Sequence, residues 1–146
     1  MRRRFEKKIY IPLPSKQARA RLFQLCVGSS RVTLQRGDFD KLSDQTEGYS
    51  GADISIVTRE AMMASVRKVI SATHFKSDAN QWTPCSPGDA NAQAMTWDDV
   101  NGDDLIQPPT GLREFERAVQ SIKCTVSADD VVKYAAWTDE FGSNAD

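Results

Sequence analysis

The sequence predicts a mainly α-helical domain that carries a short β insertion, and therefore an α+β fold overall. Apolar residues recur at helical spacing behind capping residues in residues 15–73, and again from residue 110 onward. Between these parts, residues 74–109 hold most of the prolines and several short runs of strand-forming residues. A structureless loop of that length is uncommon in a compact domain, so the stretch predicts a small inserted β domain.

The chain opens with MRRRFEKKIYIPLP, in which a basic cluster precedes a short apolar run. The β-branched and aromatic residues at 9–11 predict a short strand that Pro12 ends. We therefore expect residues 1–14 to form a first unit in which guanidinium groups are attached to a strand.

The next helices begin the main helical part of the chain. The first is expected to start behind Ser15 and to end at Gly28. The residues expected on its inward face are Ala18, Leu22, Leu25 and Cys26. A short second helix is expected at about 38–46, with Gly48 behind it.

The clearest helix start is SGAD at 50–53. The Ser50 hydroxyl can accept from the amide of Asp53, whose carboxylate can reach back, which makes a capping box worth about 1 kcal/mol. The apolar residues behind it predict one long helix from Gly51 to about Ser71. The residues expected along its apolar stripe are Ile54, Val57, Ala61 and Ala64, and those expected to widen the stripe are Met63, Val66 and Ile70.

The β insertion is expected to contain short strands at 73–76, 81–83 and 94–97, arranged around a turn at 85–89. The alternating β-branched, aromatic and turn-forming residues of this stretch carry that prediction.

Two further helices are expected after the insertion. Thr110 is expected to cap the first, whose apolar residues face inward, within residues 110–124. A second capping box, SADD at 127–130, starts the last helix of residues 125–146, which is expected to end at Gly142.

Charge and cysteine content narrow the class of protein. The formal net charge of −1 gives no reason to expect a nucleic-acid or acidic-membrane binder overall. The three cysteines are far apart and odd in number, which favours a reducing compartment. No CxxC occurs and His74 is the only histidine, so we expect a structural His74 and no Cys/His metal site. The acid pairs Asp98-Asp99 and Asp129-Asp130 are expected to be turn or capping residues.

The residues alone give no self-sufficient active site. The sequence contains no GxxxxGK[ST] phosphate loop and no evident Ser/His/acid set. Arginine offers a fixed fork of donors that suits phosphate oxygens, and arginines beside a strand are held more firmly than those on a loose tail. The basic cluster is therefore either a solvated start to the domain or a set of arginines offered to a nucleoside triphosphate on a neighbouring polypeptide.

Several motifs resemble one family. MRRRFEKKIYIPLP is similar to the end of the second region of homology in the meiotic clade of AAA ATPases, which includes the vacuolar protein sorting four ATPase, katanin, spastin and fidgetin. EGYSGADI at 47–54 resembles their second-sensor motif. THF at 73–75, TPCSPGD at 83–89 and AMTWDDV at 94–100 resemble the vacuolar protein sorting four branch. TVSADDVVKYAAWTDEFG at 125–142 fits that branch and katanin alike, so katanin is the runner-up.

The resemblance implies an AAA small helical domain, or lid, with a β domain inserted in it. Residues 1–14 would be the final strand of the large ATPase part, and residues 15–73 and 110–124 the helical domain. Residues 74–109 would be the inserted β domain, and residues 125–146 the C-terminal helix, which packs back on the large part.

The resemblance also implies nucleotide-contacting residues. Arg3 and Arg4 match the arginine fingers that reach the ATP of the neighbouring subunit, and Arg2 is a weaker candidate. Gly51 and Ala52 match residues whose backbone lies against the adenosine side of the nucleotide. Glycine allows close approach and a helix N-terminus carries positive potential, which agrees with this role, although Gly51 could equally be only a helix start.

The insertion matches the surface that binds the family's activating cofactor. Its two tryptophans, Trp82 and Trp97, are the candidate contacts, because exposed aromatic residues suit an interface. Either tryptophan could instead belong to the insertion's own core.

The function implied is that of a ring, usually a hexamer, which uses ATP and Mg²⁺ to thread ESCRT filament subunits through its pore. Such an enzyme is cytoplasmic and recruited to endosomal membranes for multivesicular body sorting, and no apolar run here approaches the roughly 18 residues of a membrane span. Without a phosphate loop and Mg²⁺-binding acids, this chain is expected to be inactive alone and to bind no cofactor tightly. Met1 stands where the family has an apolar strand residue, so we expect a truncated start.

Two alternatives stay open. The chain could be a stand-alone, non-catalytic module that binds the activator or a ring of intact subunits. It could also be the corresponding fragment of a katanin-like microtubule-severing ATPase.

Overall fold

The computed structural model describes residues 11–141, in which three helices, a small sheet and two further helices follow one another. The helices are α1 (Lys16–Val27), α2 (Arg36–Gln45), α3 (Gly51–Ser71), α4 (Leu112–Ser121) and α5 (Ala128–Phe141). The strands are β1 (His74–Asp78), β2 (Gln81–Pro84) and β3 (Gln93–Ala94), and a 3₁₀ turn follows at Trp97–Asp99. The predicted mainly helical α+β fold is confirmed.

The hydrophobic core lies where α3 packs against α1 and α4, with α2 closing one side. Phe23 of α1 and Phe115 of α4 are fully buried and meet edge to face, with ring centroids 6.4 Å apart. Full burial of such a side chain contributes about 1.5–3 kcal/mol. The other buried members of this core are Val27, Leu42, Tyr49, Ile54, Val57, Ala61, Ala118 and Val119.

The predicted inward face of α1 is partly wrong. Leu25 is 60% exposed and Cys26 is exposed, whereas Phe23 and Val27 enter the core. The helix carries two overlapping apolar stripes of similar spacing, and periodicity alone does not choose between them. The larger aromatic side chain is the one that the fold buries. Similarly, Met63 and Ile70 of α3, which were expected to widen its apolar stripe, are 42% and 57% exposed.

A buried arginine attaches the segment before α1 to the helices. Arg19 donates from Nη1 to the carbonyl of Pro14 (2.9 Å), and from Nε and Nη2 to the carbonyl of Ser43 (3.2 and 2.9 Å). Three guanidinium donors are thereby satisfied in a buried position, which burial of a charge requires. The chain just before Ser15 is held against α1 and the end of α2.

The start of α4 differs from the prediction that Thr110 caps it. Thr110 is buried, and its Oγ1 lies 3.0 Å from Oγ of Ser65 on α3. Its backbone pairs with the α1–α2 link, donating to the carbonyl of Arg31 (3.1 Å) and accepting from the amide of Thr33 (3.0 Å). Thr110 therefore joins two loops, and the capping position falls to Gly111.

Glu114 completes that cap and ties α4 to α3. Its Oε2 accepts from the amide of Gly111 (3.0 Å) and its Oε1 from Nζ of Lys68 (2.7 Å). Burial would raise the pKa of Glu114, but these hydrogen bonds outweigh it and hold the pKa below its ordinary value. The carboxylate is charged at neutral pH and stabilises the helix start.

The insertion is a three-stranded antiparallel sheet in the order β2-β1-β3. The tight turn between β1 and β2 is formed by Ala79 and Asn80, both at positive φ, which matches the twist of a two-residue hairpin. The predicted turn at 85–89 instead begins the longer link from β2 to β3. Phe75 of β1 is fully buried and anchors the sheet.

Membrane spans and metal clusters are both absent from the described part of the chain. Within residues 11–141, no helix combines the length and apolar content needed to cross a bilayer. The same residues hold no group of three or more His, Cys, Asp or Glu side chains arranged to bind a metal ion.

Candidate functional site

The predicted capping box at the start of α3 is confirmed. The Ser50 Oγ accepts from the amide of Asp53 at 3.2 Å. Asp53 Oδ2 accepts from both the amide and the hydroxyl of Ser50, each at 2.8 Å. These bonds leave the next helix amides directed out of the N-terminus, where the helix dipole favours negative charge.

Asp53 also reaches the segment before α5. Its Oδ1 accepts from the hydroxyl of Thr125 at 2.9 Å, and its Oδ2 lies 3.4 Å from the amide of Thr125. Burial would raise the pKa of Asp53, but hydrogen bonds from Ser50 and Thr125 outweigh it and lower the pKa. The Asp53 side chain is fully buried and charged, and these hydrogen bonds offset the cost of burying that charge. They also hold Thr125, 72 positions further along the chain, against the start of α3.

Tyr49 makes a second link of the same kind. Its hydroxyl donates to the carbonyl of Ile122 at 2.5 Å, at the end of α4, and lies 3.3 Å from the carbonyl of Val119. Burial, with smaller contributions from Cys124 and Asp53, raises the pKa of the phenol, which therefore stays a donor at neutral pH. The capping box was predictable from its spacing, but no spacing pointed to Tyr49 or Thr125, because both contacts are long-range.

A cleft of about 320 Å³ opens beside this helix start. Residues 11–14 form one side of it, Ser50 and Gly51 the second, and Val131 and Tyr134 of α5 the third. It therefore lies where residues 11–14, the start of α3 and the last helix α5 meet.

The structure places the predicted Gly51 at this cleft. A Cβ added to Gly51 would meet only Leu22 Cδ1, at 3.8 Å, which is ordinary contact. Packing among the described residues therefore does not require glycine here. Ala52, next along the helix, is exposed. Their predicted contact with a nucleotide stays a prediction, and the open space beside Gly51 is compatible with it.

The two predicted tryptophans differ in their surroundings. In the β1–β2 register, Trp82 lies opposite Ser77 and Pro84 opposite Phe75, so Trp82 belongs to the sheet face that buries Phe75. Trp82 is half-buried, and its backbone bonds to Asp104 and Ile106 at 2.8 Å each. This favours the core alternative for Trp82.

Trp97 is the more accessible of the two, at 43% exposed. It begins the 3₁₀ turn, which is fixed by bonds from the amide and hydroxyl of Thr96 to Asp99 Oδ2 at 2.8 and 2.9 Å. Asp99 is thus a capping residue, as predicted. Of the two candidates, Trp97 is the one presented outward on a fixed turn.

The last helix begins at its predicted capping box, where the Ser127 Oγ accepts from the amide of Asp130 at 3.1 Å. Along α5, Val132 and Tyr134 are 68% and 59% exposed. Tyr134 and Trp137 line a shallow cleft of about 400 Å³ with Asp130 and Lys133. Val132 and Tyr134 are thus presented outward on this helix.

The predicted arginine fingers, Arg3 and Arg4, and the weaker candidate Arg2 lie outside the described residues, which begin at residue 11. Their assignment stays a prediction.

Comparison with known proteins gives two family matches. Residues 37–79 match the AAA+ lid domain, and residues 82–142 match the Vps4 C terminal oligomerisation domain.

Related proteins cover nearly the whole chain. Vacuolar protein sorting-associated protein 4B of Mus musculus is 49% identical over 97% of this chain and 35% of its own length. A katanin p60 ATPase-containing protein of Danio rerio is 36% identical over 98% of this chain and 25% of its own. A chain of the solved structure "Crystal Structure of Vps4 and Vta1" matches with a TM-score of 0.61 and 37% identity, covering 75% of this chain and 99% of that one.

The fold and the helix-start site therefore define the lid of an AAA+ protein, extended by an inserted sheet and a C-terminal helix. More specifically, the chain belongs to the Vps4 family, and its residues 82–142 correspond to that family's oligomerisation domain. Katanin is a more distant relative, which agrees with its place as runner-up. The chain spans about a third of the length of the curated Vps4 relatives it matches.

Proposed function

We propose that this chain is the C-terminal part of an ATPase subunit that disassembles ESCRT filaments on endosomal membranes. The support is its likeness to vacuolar protein sorting-associated protein 4B and its oligomerisation domain. In this role it supplies ring contacts, a lid over nucleotide, an activator-binding surface and arginines that act on a neighbour's ATP.

The observation that carries the proposal is the cleft beside Gly51. It joins the segment that follows the basic cluster to the N-terminus of α3 and to α5. Backbone amides at a helix N-terminus and a residue without a side chain suit close approach of a nucleotide. By the family resemblance, Gly51 and Ala52 would lie against the adenosine side of ATP.

The nucleotide's phosphates and Mg²⁺ need other groups. The sequence has no phosphate loop, and the described residues offer no carboxylate cluster that fits a metal ion. No described residue would therefore bind Mg²⁺, and the chain's own contribution would be to position the base side of the nucleotide and the arginines.

Arg3 and Arg4 would act in trans. A guanidinium beside the transferred phosphoryl group stabilises the charge that develops there, and arginine fingers are worth roughly 10³–10⁵ in rate. Arg19 donates to the carbonyl of Pro14 and so attaches residues 11–14, which follow the basic cluster in the chain, to the lid helices. A movement of the lid would therefore also move residues 11–14.

The inserted sheet would bind an activator. A solved relative is described as Vps4 with Vta1, which supports a protein partner for this family. Trp97 is exposed on a fixed turn and is the stronger contact candidate, while Trp82 would stabilise the sheet itself.

The test joins this chain to the large ATPase part of the Mus musculus relative and measures steady-state phosphate release. Arg3→Ala with Arg4→Ala should leave nucleotide affinity unchanged while turnover falls at least about 10³-fold. Arg21→Ala is the matched control, because Arg21 is exposed and its hydrogen bond to Gln24, at 3.1 Å, is local. Unchanged turnover in the double variant would refute the finger assignment.

A further inference from the structure

Two hydroxyl residues near the end of β2 are each followed by proline, Thr83-Pro84 and Ser86-Pro87. Their settings differ. Thr83 lies inside β2, half-buried and paired with Lys76 of β1. Ser86 is exposed, one residue beyond the last bond that ties this strand to β1, from the amide of Cys85 to the carbonyl of His74 (3.0 Å).

We propose that Ser86 is a phosphorylation site for a proline-directed serine/threonine protein kinase, and that the sheet shields Thr83. This inference is independent of the ATPase function proposed above. Proline after a serine disfavours the helical conformation at that serine. Ser86 begins the turn at 86–89, where its carbonyl accepts from the amide of Asp89 (3.0 Å) and its exposed side chain lies outside the sheet. Pro84, two residues earlier, adds the feature that mitogen-activated protein kinases prefer.

The chemistry needs only ATP and the kinase. Ser86 Oγ forms a bond to the γ-phosphorus while the bond to the bridging oxygen breaks, and ADP leaves with that oxygen. The serine proton passes to the kinase's catalytic aspartate. Thr83 cannot be presented in the same way without leaving the β1–β2 ladder.

Cations near Ser86 would receive the phosphate. Asp89 Oδ2 lies 3.4 Å from the amide of Ser86 and 3.6 Å from Nζ of Lys76. Lys68 lines the same cleft of about 420 Å³ as Ser86. A phosphoserine carries about −1.5 to −2 charge, so it would repel Asp89 and compete with it for Lys76. The modification would thus change charge at the junction between the end of α3 and the insertion.

The test incubates the intact chain with an activated mitogen-activated protein kinase and ATP, and locates phosphate by mass spectrometry of fragments. The expected result is one phosphate, on Ser86. Ser86→Ala should abolish incorporation and Pro87→Ala should slow it, while Thr83→Val should leave it unchanged.

A synthetic peptide of residues 79–92 serves as the control for shielding. Without the sheet, both Thr83 and Ser86 should be phosphorylated. An intact chain that takes no phosphate, or takes it on Thr83, would overturn the proposal. A peptide phosphorylated on Ser86 alone would overturn the claim that the sheet selects the site.

Discussion

The lid body, formed by α1–α4, encloses a buried apolar core, whereas the last helix α5 leaves two of its large apolar side chains mostly exposed. In the body, Phe23 and Phe115 are fully buried against each other. On α5, Val132 and Tyr134 are mostly exposed, and the helix packs little on the other described helices and strands. This contrast predicts that substitutions in the body change stability more than substitutions on the exposed side of α5.

Loss of an aromatic side chain from the core should lower the stability of the lid body more than any other change proposed here. Phe115→Ala removes a fully buried ring and its edge-to-face partner, so it should lower the free energy of unfolding by about 3–5 kcal/mol. Urea denaturation followed by circular dichroism measures this. Tyr134→Ala on α5 is the matched control and should change stability by no more than about 0.5 kcal/mol. Equal losses in both variants would remove the contrast between the two regions.

Removal of the Asp53 carboxylate, which connects the lid body to the segment before α5, should have the next strongest effect on stability. Asp53→Asn keeps the shape but removes the charge that accepts from Ser50 and Thr125, and should cost about 1–3 kcal/mol in the same denaturation experiment. Thr125→Val removes one donor and should cost less. If Asp53→Asn costs no more than Thr125→Val, the carboxylate is not the main acceptor.

The pH dependence of that link has a definite sign. Because the pKa of Asp53 is lowered in the folded chain, its contribution is fully present above the unfolded pKa of about 3.9. It is lost as the pH falls through the folded pKa. Denaturation midpoints measured from pH 7 to pH 2 should therefore fall less steeply for Asp53→Asn than for the parent chain. Parallel curves would show that Asp53 does not carry this dependence.

A smaller effect is expected at Gly51, where one substitution tests nucleotide contact without disturbing the fold. Gly51→Ala meets only ordinary contact and should leave stability unchanged or raise it by up to about 1 kcal/mol. When the chain is joined to a large ATPase part, the same change should weaken ATP binding, measured with a fluorescent analogue. Unaltered affinity would mean that the cleft beside Gly51 does not receive the nucleotide.

The features that could be predicted from the sequence are those formed by residues close to one another along the chain. The capping boxes at 50–53 and 127–130 are local, and α3 matches its predicted bounds, Gly51–Ser71. Gly51, which the motif at 47–54 singled out, lines a cleft, while its contact with a nucleotide stays a prediction. Such signals survive folding because the partners are three or four residues apart.

The features that could not be predicted are decided by distant contacts. Thr110 resembles a cap, but pairing with the segment at 31–33 buries it instead. The contact of Asp53 with Thr125 joins residues far apart in the chain, and no periodicity encodes it. On α1, the choice of Phe23 over Leu25 depends on Phe115, which lies beyond the insertion.

The action of Arg3 and Arg4 on a neighbour's ATP is best tested by mixing two kinds of subunit, each made by joining this chain to a large ATPase part. One kind carries Arg3→Ala and Arg4→Ala with an intact nucleotide site, and the other carries intact arginines with a disabled phosphate loop. Each alone should release almost no phosphate. We expect mixed rings to recover turnover, because arginines of one subunit serve ATP held by the next. Mixed rings that assemble and stay inactive would show that the arginines do not act in trans.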